Sequence, residues 1–301
     1  MRIGTRRSAL ALAQATLISE MLGGAEIVPM STAGDAETRL PAPADDKSRW
    51  VTELEQALGA GEIDLAVHSA KDVPGELADG LELLGAPARA PAEDVLCGAG
   101  GLDELRSGAR IGTSSIRRLA QLRAARADLE VVAIRGNVDT RLRKLSDPSE
   151  GLDAIVLAHA GLIRLGRGSE AGGVLDSERF VPAPGQGTLA LEGRAGDGAT
   201  RAAVAAITDS VAFACLRAER ALAQALDASC NTPLGAYAPP ARGGGLRLRA
   251  WVGLPDGSAW VSDELPGDVE DPEALGRLVA ERLSAAGGEE LLHRAEEMAT
   301  I

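Results

Sequence analysis

The chain has 301 residues, a formal net charge of −13, 45% hydrophobic residues and only 2% aromatic ones. That length and apolar content support a large core divided into two or three domains. The acidic balance disfavours DNA and membrane surfaces as partners, and the shortage of aromatics removes the stacking platforms that binders of single strands use. Three cysteines without paired spacing fit a reducing compartment and offer no zinc pattern, so no metal is expected. No export signal or apolar run of bilayer length is visible, which predicts a cytoplasmic protein.

Residues 2–14 read RIGTRRSALALAQ: a short strand, a Gly-Thr turn and a helix opening. Residues 110–121, RIGTSSIRRLAQ, repeat that unit about a hundred positions later. A second echo pairs DLAVH at 64–68 with DAIVLAH at 153–159, both buried strands ending at a histidine. Together the echoes predict two α/β domains of similar topology that face each other, with ligand between the carboxyl ends of their strands.

After the first helix a strand is expected at 26–30, then a polar loop at 31–49 that reads equally as a mobile lid or as disorder. A helix at 51–60 and a buried strand at 63–67 lead into His68-Ser69-Ala70-Lys71-Asp72-Val73-Pro74-Gly75. Polar groups gathered at a strand's carboxyl end, before a Pro-Gly stop, single out Asp72 as a catalytic candidate among the 44 acidic residues. His68 lies close to it in sequence, whereas His159 and His293 read as structural or exposed.

The connections at 86–93 (APARAPAE) and 181–187 (VPAPGQG) read as paired crossings between domains, which makes the second domain an insertion in the first. A strand at 188–191 then returns to the first domain. Between the crossings, residues 110–145 gather Arg110, Arg117, Arg118, Arg123, Arg126, Arg135, Arg141, Arg143 and Lys144 in an otherwise acidic protein. Helices in this stretch start directly after strands, at Thr113-Ser114-Ser115 and Arg135-Gly136-Asn137, where free N–H groups and the helix dipole attract anions. Arginine forks grip a carboxylate or phosphate with two parallel hydrogen bonds. Arg117, Arg118, Arg135 and Arg141 therefore predict a cleft for a small, multiply anionic ligand, while Arg123, Arg126, Arg143 and Lys144 read as a solvated helix face.

From about residue 208 the pattern becomes α+β: a helix at 210–226, a loop at 227–232, strands at 246–252 and 260–263, and a closing helix at 272–286. Cys97 in a strand and Cys215 in a helix read as small buried hydrophobes. Cys230, in the loop Ala228-Ser229-Cys230-Asn231-Thr232-Pro233, is the thiol open to act as a nucleophile or an attachment point.

Six segments, in one order, resemble the porphobilinogen deaminase (hydroxymethylbilane synthase) family. They are GTRRSALALAQ at the start, AVHSAKDVP from Ala66, GTSSIRR from Gly112, RGNVDTRL from Arg135, PGQG from Pro184 and CNTPLGAYA from Cys230. The resemblance implies two similar periplasmic-binding-protein-like α/β domains, at 1–88 with 187–207 and at 92–183, plus a smaller C-terminal α+β domain at 208–301. It implies a monomeric transferase that condenses four porphobilinogen molecules head to tail, losing ammonia each time, and releases hydroxymethylbilane by hydrolysis. A dipyrromethane cofactor would be held by a thioether to Cys230, against Lys71, Asp72, Thr113, Ser114, Ser115, Arg117 and Arg118. Arg6, Ser8, Gln14, Lys47, Trp50, Arg135, Arg141, Arg164 and Gln186 match the family's substrate side.

Asp72 matches the catalytic carboxylate, placed to stabilise the cationic azafulvene left by ammonia loss and to assist proton transfer. One segment departs from the family: Asp45-Asp46-Lys47-Ser48-Arg49-Trp50 stands where many members carry a Gly-Gly-Lys-Gly-type loop followed by Phe. That departure keeps a catalytically altered paralogue as one alternative, and a non-catalytic binder of a small polyanion is the other.

Overall fold

The computed structural model describes residues 1–32, 51–228, 232–241 and 243–300. Along the chain come β1 (Arg2–Arg6), α1 (Ala9–Met21), β2 (Glu26–Met30), α2 (Thr52–Gly59), β3 (Leu65–Ser69) and β4 (Leu81–Gly85). After the first crossing follow β5 (Asp94–Cys97), β6 (Arg110–Gly112), α3 (Ile116–Ala125), β7 (Glu130–Val132), α4 (Val138–Ser146), β8 (Ala154–Ala158), α5 (His159–Arg164) and β9 (Val174–Leu175). After the second come β10 (Leu189–Arg194), α6 (Gly198–Ala205), α7 (Ser210–Ala225), β11 (Leu234–Tyr237), β12 (Leu246–Gly253), β13 (Trp260–Gly267), α8 (Pro272–Ala285) and α9 (Gly288–Thr300).

These strands build three sheets, in the orders β2-β1-β3-β10-β4, β7-β6-β8-β5-β9 and β11-β12-β13. The first two share one plan. In each, three strands run parallel and the fourth is antiparallel to both of its neighbours: β10 lies between β3 and β4, and β5 between β8 and β9. Both antiparallel strands are the ones that directly follow a crossing. The sequence echo thus marks a real structural repeat, the α/β class holds, and the third sheet is an antiparallel meander.

Helices cover both faces of the first two sheets, which is why their strands read as continuous apolar runs. Alternate residues divide between the faces: Ala154 and Val156 of β8 point to the α3 side with Leu122, whereas Ile155 and Leu157 join Leu142 and Leu162 of α4 and α5. In the first sheet Leu65 and Val67 pack with Ile18 of α1 and Val204 of α6, and Ala66 packs with Leu54 and Leu58 of α2. In the third unit Leu246, Leu248, Ala250 and Val252 form one face of β12, against Leu222 of α7, Val279 of α8 and Leu292 of α9. The Ile-Gly-Thr repeat has a packing cause. A Cβ on Gly112 would stand 3.0 Å from Ile155 of the neighbouring strand and 3.1 Å from Ile134, and one on Gly4 would run into Ile63, so glycine leaves room for these isoleucines.

Several expected boundaries shift. β3 starts and ends two residues later than expected, so His68 lies inside the strand, and β13 extends to Gly267. β4, the two-residue β9 and α9 were not anticipated, so the helix at Pro272–Ala285 does not close the fold.

The crossings run side by side as expected: the Ala90 N–H donates to the Gly187 carbonyl at 3.2 Å, and Arg89 Nε to the Gln186 carbonyl at 2.9 Å. Both are tied to α7 by Glu219, which is fully buried. Its carboxylate accepts from both Arg89 Nη atoms, from the Gly185 N–H at 2.7 Å and from the Ala238 N–H at 2.7 Å. The Arg89 guanidinium also stacks 4.9 Å from the Tyr237 ring centroid. Removing one partner of such a pair leaves an uncompensated buried charge, so Glu219→Ala should cost about 3–5 kcal/mol of stability. Urea unfolding monitored by tryptophan fluorescence measures this; a loss below about 1 kcal/mol would mean that the crossings are held by other contacts.

Candidate active site

The carboxyl ends of the parallel strands supply the expected residues. Arg6 ends β1, and Ser8 caps α1 by accepting the Ala11 N–H at 3.3 Å. Gln14, buried on α1, donates through Nε2 to the Ser69 hydroxyl at 2.8 Å, which joins α1 to the end of β3. The chain then makes a single 3-10 turn, Ala70–Asp72, that presents Lys71 and Asp72. Gly185, at φ +75°, packs on this turn: a Cβ there would meet the Lys71 nitrogen at 3.0 Å, so a glycine lets the second crossing lie flat against it.

In the second sheet Ser115 caps α3 and Asn137 caps α4, accepting from the N–H groups of Arg118 and Thr140. Thr113 Oγ1 accepts the Ser115 N–H at 3.2 Å, so the Thr113 and Ser115 hydroxyls keep their protons to donate. Ser114 has a bond to the backbone as well. Its hydroxyl donates to the Ile134 carbonyl at 2.6 Å.

Arg117 and Arg118 are 4% and 7% exposed, and neither is a free fork. Asp94, 1% exposed, binds both: Arg117 Nη2 reaches Oδ2 at 2.7 Å, while Arg118 Nη2 and Nε reach Oδ1 at 2.7 and 3.1 Å. The remaining bonds go to carbonyls, from Arg117 to Val181 and from Arg118 to Val156. Burial alone would raise the Asp94 pKa, but the two guanidiniums hold the carboxyl well below the usual carboxylate range. Among the described residues Arg117 Nε has no acceptor, although it is buried. An anionic ligand is the group that would satisfy it.

Gln186 links this cluster to the first sheet. Its Nε2 donates to the Ala92 carbonyl at 2.7 Å and to Asp94 Oδ1 at 2.8 Å, and its Oε1 accepts from Lys71 Nζ at 3.3 Å. Burial, and next the Arg118 charge, push the Lys71 pKa down to about 8, against the pull of Asp72 and Asp94. Asp72 is partly exposed and has no hydrogen-bond or ion-pair partner among the described residues. Arg141 and Arg164 are half-buried. Arg141 donates to the Gly136 carbonyl at 2.7 Å, and burial followed by Arg118 lowers its pKa. Arg164 donates to the Gly187 carbonyl at 2.6 Å, and burial lowers its pKa to about 10.

The structure therefore brings together Lys71, Asp72, Arg117, Arg118, Arg141, Arg164 and Gln186. Five cationic side chains meet the two carboxylates Asp72 and Asp94 there, in a chain of net charge −13. Arg135 is exposed and without a partner among the described residues, three positions past the carboxyl end of β7. Lys47, Trp50 and Cys230 lie outside the described residues. His68 does not join the site: its ring bonds Glu192 at 2.8 Å inside the first sheet. Sequence reasoning missed Asp94. Its signal was an acidic residue opening the apolar strand DVLC, since a carboxylate buried there demands a cation.

Cys97 and Cys215 are free and buried, and burial pushes both thiols up to about 11. Neither is available as a thiolate at neutral pH. Among the described residues no group of three or more His, Cys, Asp or Glu side chains could hold a metal ion, and no single helix is long and apolar enough to cross a membrane.

Two family models match the chain: "Porphobilinogen deaminase, dipyromethane cofactor binding domain" over residues 1–202 and "Porphobilinogen deaminase, C-terminal domain" over residues 213–285. A porphobilinogen deaminase of Thiobacillus denitrificans is 43% identical over 301 residues, covering 97% of each chain. One of Syntrophus aciditrophicus is 41% identical over 306 residues, covering 99% of each. Among solved structures, lipoprotein Tp32 from Treponema pallidum aligns with a TM-score of 0.43 at 15% identity, over 68% of this chain and 89% of its own. The methionine binding protein MetQ aligns with a TM-score of 0.41 at 15% identity, over 69% and 89%. On the family models and the near-complete match to relatives above 40% identity, the chain belongs to the porphobilinogen deaminase family.

Proposed function

We propose that this cleft is the seat of hydroxymethylbilane synthesis: four porphobilinogen molecules are condensed head to tail with loss of ammonia, and the linear tetrapyrrole is released by hydrolysis. The family supports the reaction and the dipyrromethane cofactor. The observation that supports the location is the meeting of Lys71 and its neighbour Asp72 with Arg117 and Arg118 across Gln186 and Asp94. Each porphobilinogen brings two carboxylates, and a growing chain of them needs the cationic excess gathered here. Full-length similarity to porphobilinogen deaminases leaves nothing in favour of a non-catalytic binder.

The dipyrromethane, when bound, supplies the pyrrole end from which the product chain grows. Its carboxylates would be held by Lys71, by the free Nε of Arg117, by Arg118 and by the Thr113 and Ser115 hydroxyls. Cys230 is the tether, because the other two thiols are buried and protonated. Arg6, Ser8, Gln14, Arg135, Arg141, Arg164 and Gln186, with Lys47 and Trp50, take the incoming porphobilinogen and the growing chain. Asp72 stabilises the positive charge that develops on the substrate pyrrole as ammonia leaves, and it accepts the proton shed by the attacking ring. Among the described residues no hydrogen bond or ion pair occupies its carboxylate, which leaves the oxygens open for that work.

The chain divides into 1–88 with 187–207, 92–183 and 208–301. The breaks between sheets support this division, as does the boundary between the two family models. The protein acts as a cytoplasmic monomer, in keeping with its charge and its unpaired buried thiols.

Intact mass with peptide mapping across Cys230 tests the assignment. The expected result is an added mass equal to two deaminated porphobilinogen units on that cysteine; a bare thiol that stays bare when porphobilinogen is supplied sinks it. Asp72→Ala should fold normally and lose about 10²–10⁴ in turnover, and wild-type rates in that variant would refute the catalytic role. Lys71 binds carboxylates as an ammonium, which is lost as pH rises through about 8. Loading of the bare protein with its cofactor should therefore slow on the alkaline side of that value, and Lys71→Arg should move the fall to higher pH. Loading that is no slower in Lys71→Met than in the wild type at pH about 7 would show that the charge on Lys71 is not used.

A further inference from the structure

Asp94 opens β5, directly after the first crossing, and no part of it faces solvent beyond 1%. Four hydrogen bonds converge on its two oxygens: one from Arg117, two from Arg118 and one from Gln186. The Gln186 amide can lie only one way round. Its two N–H bonds point to the Ala92 carbonyl and the Asp94 carboxylate, and a flipped amide would set oxygen against both. Its Oε1 is thus left to receive Lys71 Nζ. The result is an unbroken polar chain, Lys71 to Gln186 to Asp94 to the two guanidiniums. It starts at the end of a first-sheet strand and finishes on the helix that covers the second sheet.

We propose that Asp94 is a positioning residue of the enzyme: its carboxylate aims both guanidiniums and, through the Gln186 amide, keeps the Lys71 ammonium registered beside them. Asp94 touches neither cofactor nor porphobilinogen, because the Arg117, Arg118 and Gln186 bonds occupy it. The inference rests on the reading of this cleft as the cofactor and substrate site. Only a carboxylate meets the need. Two buried guanidiniums side by side repel, and an asparagine would supply one acceptor oxygen and an NH2 group directed at N–H donors.

The charged groups that act on Lys71 are Asp72 on its own turn, Asp94 on β5, and Arg117 and Arg118 on α3. Neutralising Asp94 removes one of the two charges that favour the ammonium and leaves both that oppose it. Asp94→Asn should therefore lower the pH at which Lys71 loses its proton as well as misdirect the forks. Asp94→Glu keeps the charge on a longer stem, so it should retain the Lys71 titration while still displacing the forks.

The test uses the holoenzyme and reads the pH dependence of Lys71 acylation by an amine-specific reagent, with peptide mass spectrometry, beside kcat and KM. The wild-type titration is the reference against which each variant is read. Asp94→Asn should titrate lower by about half a unit or more, with KM raised about tenfold and kcat less affected. Asp94→Glu should titrate like the wild type with KM still raised. Wild-type titration and KM in folded Asp94→Asn overturn the proposal. Should that variant not fold, Asp94→Glu decides alone, and a wild-type KM in it overturns the proposal as well. A control separates the two readings: if Lys71 is acylated as fast in the cofactor-loaded protein as in the protein before loading, the location of the site fails, whatever the Asp94 variants do.

Discussion

Two buried carboxylates hold the crossings, and the rest of the architecture depends on them. Glu219, from the helix that begins the C-terminal unit, takes Arg89 of the first crossing and the Gly185 N–H of the second. Asp94, at the head of a second-sheet strand, takes the Gln186 amide of the second crossing and two arginines of the helix behind it. Buried ion pairs contribute little net stability, because desolvating the charges offsets most of the attraction. What they supply is geometry: a carboxylate surrounded by four donors has one low-energy arrangement, and side chains from three parts of the chain must adopt it together. Apolar contacts alone, such as Leu216 against Ala70, Val73 and Ala190, would tolerate sliding by a methyl's width.

Preorganisation of this kind suits a polyanionic ligand. Arginines on long free stems would lose rotamer freedom each time a carboxylate bound. Arg117 and Arg118 meet that cost during folding, because Asp94 already holds both forks in place. Lys71 sits at the opposite extreme, where burial weakens its charge, so it is the member of the set most sensitive to its neighbours. The two serine caps, Ser8 and Ser115, stand at equivalent places in the two sheets, so each half of the repeat offers one helix start to the cleft.

Much of this was legible in the residues. The Ile-Gly-Thr echo announced two sheets of one plan, because the glycine must admit a neighbouring isoleucine in both. The Pro-rich crossings were readable because proline and glycine break both periodicities. β9, with two residues, carries too little pattern to see, and β4 reads LELLG between turns, too short to separate from a loop. α9 was a missed stripe: Leu291, Leu292 and Ala295 recur at helical spacing and are buried. The site was legible as a list of arginines and a lone acid, but not as a network. Sequence spacing says nothing about which carboxylate, among 44 acidic residues, folds back onto Arg117 and Arg118.

The shared plan of the first two sheets has a consequence for how the chain is made. Every strand of the second sheet lies between residues 94 and 175, so that sheet can assemble from an unbroken run of chain. The first sheet cannot. Its β10 sits between β3 and β4, yet leaves the ribosome more than a hundred residues after either. Until Leu189–Arg194 arrives, Leu81–Gly85 has no strand to pair with and β3 presents an open apolar edge. The inserted half therefore matures before the half that begins the chain, and the interval of exposure is set by the speed of synthesis.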